Sequence, residues 1–309
     1  MARIDAPRSG LVPRLKGLHL FHFDPAPCAQ RVRFALAEKG LRRGREVRWD
    51  DGSPDSVRGE PGGWVSRHVS LIRKVHITDA YAAIHPHMVV PALVHDGRLY
   101  IESMDIVQYI DATWPQNRLF PADPAAAELA DALVERGKKL HLSVRHVSFR
   151  WGLGRLGKVG TREEESLRRL ELAGSPEQLF AFYSRYNRDT IDQGTYNAHL
   201  RALEDGYTWL ERLLESDGHP FLTGNTFSIA DIIWSCKVLR ITECGYPFER
   251  NFPALSAWYT RVSGRPAFQE GVMHGHKAMS KIFQIKAGLD NLLGHGLKQA
   301  SSRAASISA

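Results

Sequence analysis

Residues 89–103 read Val89-Val90-Pro91-Ala92-Leu93-Val94-His95-Asp96-Gly97-Arg98-Leu99-Tyr100-Ile101-Glu102-Ser103, and their reading decides the fold. Residues 92–95 and 98–101 are short apolar runs separated by Asp96-Gly97, a pair that tolerates the positive φ angles of a tight hairpin turn. Beyond them Ile106, Val107 and Ile110 share one helical face, and Ser103 stands where an N-cap belongs. The stretch predicts two antiparallel strands followed by a helix.

Working upstream, residues 18–23 form a short apolar and aromatic run that stops at Asp24-Pro25-Ala26-Pro27. A helix is expected to begin near Cys28, with Val32, Ala35 and Leu36 on one face and Gly40 as its left-handed cap. Residues 46–49 read as a second strand. A β-α-β opening followed by β-β-α is the thioredoxin arrangement. Residues 50–83 are longer than such a connection needs, so an irregular insertion is expected there, with a helix near 64–75.

Downstream, Leu119-Phe120-Pro121-Ala122-Asp123-Pro124 reads as a linker, after which helical spacing takes over. One stripe runs through Leu129, Leu133, Leu140, Val144 and Val147, another through Tyr196, Leu200, Leu203, Tyr207, Leu210 and Leu214. Ser228-Ile229-Ala230-Asp231 is a capping arrangement at the start of an apolar helix, in which Cys236 falls on the packed face with Ile229, Ile232 and Ile233. Asn251-Phe252-Pro253 opens a further helix. The fold class is thus an α/β thioredoxin-like N-terminal domain followed by an all-α C-terminal domain. The expected boundaries are a disordered leader over 1–17, the thioredoxin-like domain over 18–114, a linker over 115–123, a helical substrate domain over 124–275 and a basic tail over 276–309, solvated at its end.

The 309 residues are 43% hydrophobic, enough for two cores. The leader is broken by Pro7 and Pro13 and fails as a secretory signal, and no apolar run approaches the ~18 residues of a membrane span. A cytoplasmic protein without a membrane partner is expected. Three cysteines, Cys28, Cys236 and Cys244, do not make a disulfide framework. The net charge of +7 is interspersed with acids, which gives little support to nucleic-acid binding and fits small anionic substrates better. The pairs His85/His87 and His274/His276 lack the fuller constellation a metal needs, so no metal is expected.

Val-Pro-Ala-Leu alone is an ordinary strand edge, and Glu-Ser alone merely a cap. Joined by the hairpin, Val89-Val90-Pro91-Ala92-Leu93 and Glu102-Ser103 resemble the glutathione-site signature of the glutathione transferase superfamily. The resemblance implies a cis Val90-Pro91 peptide that leaves the Val90 main chain to pair with an extended tripeptide, as an added strand would. It gives the γ-glutamyl ammonium to Glu102 and its carboxylate to Ser103 and the helix N-terminus. His87 matches a family position that is often basic and pairs with the glycyl carboxylate; an imidazole there makes that contact pH-sensitive. Val89 departs from the polar residue the family often carries before the Val of Val-Pro.

Cys28 lies at a helix N-terminus with Arg31 three residues on, conditions that make a cysteine nucleophilic, although an isolated cysteine is more often structural. Within Leu20-Phe21-His22-Phe23-Asp24-Pro25-Ala26-Pro27-Cys28 it matches the catalytic-thiol position of bacterial cysteine-type glutathione transferases. The insertion over 152–194 and the Leu-Phe-His-Phe run resemble bacterial enzymes that reductively dechlorinate hydroquinones and, next, bacterial β-aryl ether-cleaving enzymes. His141, Arg145, His146, Arg150 and Trp151 form a basic and aromatic group that either borders an electrophile pocket, holding a phenolate through Arg or His, or is a solvated helix face. The resemblance thus implies glutathione as co-substrate, a small aromatic electrophile, and a dimer of this chain or with a related one. A glutathione-disulfide reductase and a non-catalytic binding protein of the same fold remain the alternatives.

Overall fold

The computed structural model describes residues 3–172 and 179–306. The strands are β1 (Arg3–Ile4), β2 (Leu18–His22), β3 (Arg42–Arg48), β4 (Gly63–His68), β5 (Ala92–His95) and β6 (Arg98–Tyr100). The helices are α1 (Pro27–Glu38), α2 (Asp79–Ala82), α3 (Ser103–Thr113), α4 (Pro124–Lys139), α5 (His141–Val147), α6 (Thr161–Leu172), α7 (Leu179–Asn187), α8 (Gln193–Asp217), α9 (Ile229–Thr242), α10 (Phe248–Asn251), α11 (Pro253–Ser263), α12 (Pro266–Phe268), α13 (Lys277–Leu292) and α14 (Leu297–Ser306). They divide into two units, Met1–Pro115 with Leu156–Thr190, and Gln116–Arg155 with Ile191–Ala309.

The first unit is built on a mixed sheet in the order β1-β6-β5-β2-β4-β3. The central strand β2 pairs parallel with β4 and antiparallel with β5, and all five of its residues are buried, as a strand covered on both faces requires. β5 and β6 form the expected hairpin, with Asp96 at φ 49° and Gly97 at φ 77° in the turn. β3 is an edge strand whose exposed charges and register shift between Arg43 and Glu46 guard it against further pairing. This is the thioredoxin-like sheet the sequence predicts.

Three expectations need correction here. The segment expected as a helix over 64–75 begins with β4, and β4 rather than residues 46–49 closes the β-α-β unit beside β2. Trp64 and Val65 favour a strand, but Ser66, Arg67 and His68 hide the pattern because Arg67 is buried with its charge answered inside. Its guanidinium donates to Trp49 O (3.2 Å), Asp51 O (2.8 Å), Ser56 O (2.7 Å) and His19 Nδ1 (3.2 Å), which also ties down the loop after β3. Second, the leader is ordered from Arg3: β1 pairs with β6, and Val12 and Leu15 are fully buried in the sheet's core. Third, residues 156–190, expected inside the helical domain, group with the first unit, where Lys74 Nζ donates to Leu156 O (3.3 Å) and Arg169 pairs with Asp79 (3.7 Å).

In the second unit α9 is the buried axis, with every residue from Ile229 to Ile241 inside. Its N-terminus is the expected capping box: Ala230 N donates to Ser228 Oγ (3.3 Å) and Ser228 N to Asp231 Oδ2 (2.8 Å). Asp231 also accepts from Leu222 N (3.1 Å) and Trp258 Nε1 (2.8 Å). Gly206 on α8 lets that helix come close, since a Cβ there would stand 2.8 Å from Leu140 Cδ1 and 3.1 Å from the Trp234 ring. The first apolar stripe breaks at Leu140 into α4 and α5, and α5 runs into a π-helical stretch, Ser148–Leu153. Cys236 is fully buried as expected; Cys244 is buried too, its Sγ donating to Arg240 O (3.2 Å), and burial pushes the thiol up to about 12. The basic tail is helical and held to this unit: on α13 Ser280, Phe283 and Ala287 are buried, and His276 Nε2 meets Glu243 Oε1 at 2.6 Å. The end of the tail, expected to be solvated over the last ten residues, is helical as far as it is described: α14 runs from Leu297 to Ser306, with Leu297 and Ser301 buried, and residues 307–309 lie outside the described residues.

Candidate functional site

α1 and α3 are joined at two places. Arg31 Nη1 donates to Ser103 Oγ at 3.3 Å, and farther along Lys39 forms a buried ion pair with Asp111. Residues 31 and 39 of one helix thus meet residues 103 and 111 of the other, so the helices run parallel and both N-termini open at the same end. Two partial positive charges converge there. Cys28 is the second residue of α1, half-buried, and lies on the same face as Arg31 one turn earlier, with Cβ atoms ~5–6 Å apart by helix geometry.

Ser103 is the first helical residue of α3, and Glu102, not Ser103, occupies the cap position. The Ser103 hydroxyl accepts from Arg31 instead of capping the helix. Glu102 holds φ 64°, a region few residues other than glycine adopt and one that recurs where a side chain must be aimed at a ligand. Its carboxylate is about half exposed, with Oε1 3.6 Å from His87 Nδ1. His87, expected at the glycyl end of the tripeptide, therefore stands at the end that the resemblance gives to the γ-glutamyl group. His85 lies beneath it and accepts from His87 N at 3.3 Å; burial drives the His85 imidazole down to about 3, so it stays neutral. Val90-Pro91 is cis, and among the described residues no hydrogen bond engages the Val90 main chain. The neighbouring Val89 O accepts from Tyr81 Oη (2.9 Å), a phenol that burial keeps protonated.

Arg31 is the residue whose position the sequence did not disclose. It was expected to act on Cys28, yet its guanidinium reaches Ser103, and the residue as a whole is 4% exposed. Its Nε has no hydrogen-bond partner, and among the described residues no carboxylate pairs with it. A buried cation without its counter-charge costs several kcal/mol and favours any anion that reaches it. A signal existed: position 31 adjoins Val32 and lies a turn before Ala35, so it borders the packed face of the helix.

The loop leading to Cys28 is fixed from behind. Arg33 Nη2 donates to Asp24 O (2.9 Å), and Arg43 Nη1 donates to Asp24 Oδ1 (2.9 Å). His22 accepts from Arg33 at Nδ1 (3.2 Å) and donates from Nε2 to Ser66 Oγ (2.8 Å). Burial first, then Arg33 and Arg43, hold His22 well below the usual imidazole range, which keeps Nδ1 an acceptor.

The basic and aromatic group belongs to the second unit, and the structure splits it. His141 and Arg145 are half-buried, one turn apart on α5. Trp151 is packed inward, 6.0 Å edge-on from the Tyr196 ring, and its carbonyl accepts from Lys286 Nζ (3.2 Å). His146 stacks on His199 with ring centroids 3.8 Å apart, and Arg150 lies 5.6 Å over the Tyr196 ring. Trp151 and His146 are thus packing residues of this unit.

The N-terminal-domain model of the glutathione S-transferases matches residues 20–118 and the C-terminal-domain model matches residues 193–261, together more than half of the chain. The chain is 26% identical over 307 residues to a 2,5-dichlorohydroquinone reductive dechlorinase of Sphingobium indicum, covering 86% of each chain. It is 26% identical over 259 residues to the tetrachloro-p-hydroquinone reductive dehalogenase of Sphingobium chlorophenolicum, covering 81% of this chain and 93% of that one. Among solved structures, the β-etherase LigF of a Sphingobium strain superposes with a TM-score of 0.67 at 22% identity, over 83% of this chain and 99% of that one. The sheet, the helical second unit and both domain matches agree: this chain belongs to the glutathione S-transferase family.

Proposed function

We propose that this chain is a glutathione-dependent transferase that removes chlorine reductively from a chlorinated hydroquinone or a closely similar aromatic electrophile. The observation that carries the proposal is the parallel pair α1 and α3, which sets the Cys28 thiol one helical turn from the buried Arg31–Ser103 pair at a shared positive end. Glutathione binds there in an extended form, its γ-glutamyl carboxylate on Ser103 and Arg31, its ammonium on Glu102 with His87 alongside, and its cysteinyl main chain on Val90 beside Pro91. Such a pose directs the glutathione sulfur toward the N-terminus of α1, whose dipole stabilises the thiolate.

The thiolate displaces chloride from the arene, forming a carbon–sulfur bond. The Cys28 thiolate then attacks the sulfur of the aryl conjugate, the carbon–sulfur bond breaks, and the arene carbon takes a proton, leaving Cys28 in a mixed disulfide with glutathione. A second glutathione thiolate attacks that disulfide, releasing glutathione disulfide and restoring the Cys28 thiol. Two glutathiones supply the two electrons the arene accepts. Support for this reading comes from the near full-length likeness to two enzymes named as reductive dehalogenases. The likeness to LigF keeps β-aryl ether cleavage as a second reading, in which glutathione alone is the nucleophile.

Cys28→Ser decides between them. With glutathione and a dichlorohydroquinone, the variant is expected to accumulate the aryl conjugate and to stop producing glutathione disulfide. Unchanged release of the dechlorinated hydroquinone from that variant overturns the thiol-exchange step.

A further inference from the structure

α13 docks on its own unit through Ser280, Phe283 and Ala287, and it turns a second apolar face to solvent: Ile282, Ile285, Leu289, Leu292 and the following Leu293 are 56% to 82% exposed. Exposed large hydrophobics elsewhere among the described residues, such as Ile72, Leu142, Leu156 and Leu172, are scattered, and single residues of that kind need no explanation. A contiguous face of roughly 600 Å² does, because patches of that size mark interaction sites. At 3.6 residues per turn the five side chains fall within an arc of roughly 100°, on the side of the helix away from Phe283 and Ala287. Lysines edge the arc. Lys281 and then Lys277, both exposed, follow at one border, and Lys286 follows at the other. The one acid of the helix, Asp290, lies beyond Lys286 and pairs with it at 2.5 Å.

We propose that α13 docks this chain on an anionic lipid bilayer, lying in the plane of the interface with its apolar arc at the headgroup–acyl boundary and its lysines on the acidic headgroups. The expectation of a protein without a membrane partner rested on the missing ~18-residue apolar run of a membrane span. Among the described residues no helix is long and apolar enough to cross a membrane. A helix that lies in the interface needs no such run: isoleucine and leucine on one face and cationic side chains at its edges suffice. Lysine stems lie along apolar surface while the ammonium group stays at the phosphates, so the two borders of the arc serve the same surface as its centre. Charge and shape both favour lipid over a protein partner. Three lysines stand against one acid on this helix, and each lysine near an acidic leaflet is attracted to it. The arc itself holds no polar side chain to fix a register, and none of the Trp, Tyr or Arg residues that anchor protein interfaces. Apolar burial without direction, bordered by positive charge, matches a fluid anionic surface.

The test is flotation of the full chain with vesicles of phosphatidylcholine alone and of phosphatidylcholine mixed with phosphatidylglycerol. Wild type is expected to float with the mixed vesicles and to stay behind with the neutral ones. Two double variants separate the contributions, Ile285→Glu/Leu289→Glu for the apolar arc and Lys277→Gln/Lys281→Gln for its border. All four positions are solvent-exposed, so melting curves without vesicles should match that of the wild type. The first variant is expected to lose flotation, and the second to partition roughly 10- to 30-fold more weakly. Wild type that ignores the mixed vesicles overturns the proposal, and so does flotation that survives Ile285→Glu/Leu289→Glu, which assigns it to charge elsewhere on the chain. Binding unaffected by Lys277→Gln/Lys281→Gln overturns the anionic preference. Sedimentation without lipid closes the other route: a particle mass that halves in Ile285→Glu/Leu289→Glu, with no flotation of the wild type, shows the arc covered by protein and overturns the proposal.

Discussion

Replacing Arg31 by methionine separates a residue that holds the fold from one that holds a ligand, because the two roles predict opposite signs. The residue is 4% exposed, its guanidinium makes a 3.3 Å hydrogen bond to Ser103, and Nε has no partner among the described residues. In the absence of ligand this cation is a burden, and an apolar side chain of similar length should stabilise the unit by about 1–3 kcal/mol. At roughly 2–4 °C per kcal/mol for a protein of this size, the melting temperature without glutathione rises. With glutathione the order reverses. A charge-assisted hydrogen bond to a carboxylate contributes about 1.5–3 kcal/mol, so its loss weakens the dissociation constant by roughly 10- to 150-fold. Calorimetric titration gives the constant directly, and melting curves with and without glutathione give the same quantity through linkage, because saturation at 100 times the constant adds about 2.7 kcal/mol to the wild type. A variant that melts lower than wild type without ligand and binds glutathione with an unchanged constant would refute the reasoning and make Arg31 a structural residue.

Further outcomes follow from buried groups elsewhere. His19 is fully buried, with Nδ1 accepting from Arg67 and Nε2 donating to Lys16 O, and burial drives it down to about 4. The unfolded chain takes that proton near 6.5 and the folded one only near 4, so the stability His19 contributes is full above the higher value and falls by about 3 kcal/mol as pH drops to the lower; because His22 and His85 are also buried and neutral, urea unfolding of His19→Gln should still show an acid loss, smaller than that of wild type by this amount. Arg67→Met leaves Trp49 O, Asp51 O and Ser56 O without their donor and should lower stability by about 3–5 kcal/mol, read as a lower urea midpoint. Asp231→Ala strands the Leu222 N–H and the Trp258 indole and removes half of the capping box; a loss of about 3 kcal/mol is expected in thermal unfolding, with glutathione affinity of the remaining folded protein unchanged.

What could be read from the residues was whatever rests on local geometry. Asp96-Gly97 dictates its turn wherever it occurs, Ser228 and Asp231 cap their helix from within four residues, and the apolar face of α1 repeats at helical spacing. β4 escaped because its pairing partner β2 lies more than forty residues upstream and half of its side chains are polar. The order of the leader likewise depends on β6, a strand nearly a hundred residues away, and the docking of α13 depends on Glu243, buried on another element. Position alone placed Cys28 at a helix start; the direction of Arg31 needed α3.

A charged residue is read as exposed because charges are seldom buried without partners, and that rule is what the first unit breaks. Arg31, Arg33, Lys39 and Arg67 are all buried, on a helix and a strand whose neighbours are apolar. Three of these four are answered inside the protein: Arg33 by Asp24 O and His22, Lys39 by Asp111, Arg67 by three carbonyls and His19. Each of those three stitches one segment of the unit to another, which accounts for its burial without any ligand. Arg31 is stitched to Ser103 by a single long hydrogen bond, at the end where two helix N-termini already converge. An anion arriving there meets a cation whose desolvation the fold has already met, so the affinity it gains is not spent on burying the charge, and the same cation that weakens the empty protein strengthens the liganded one.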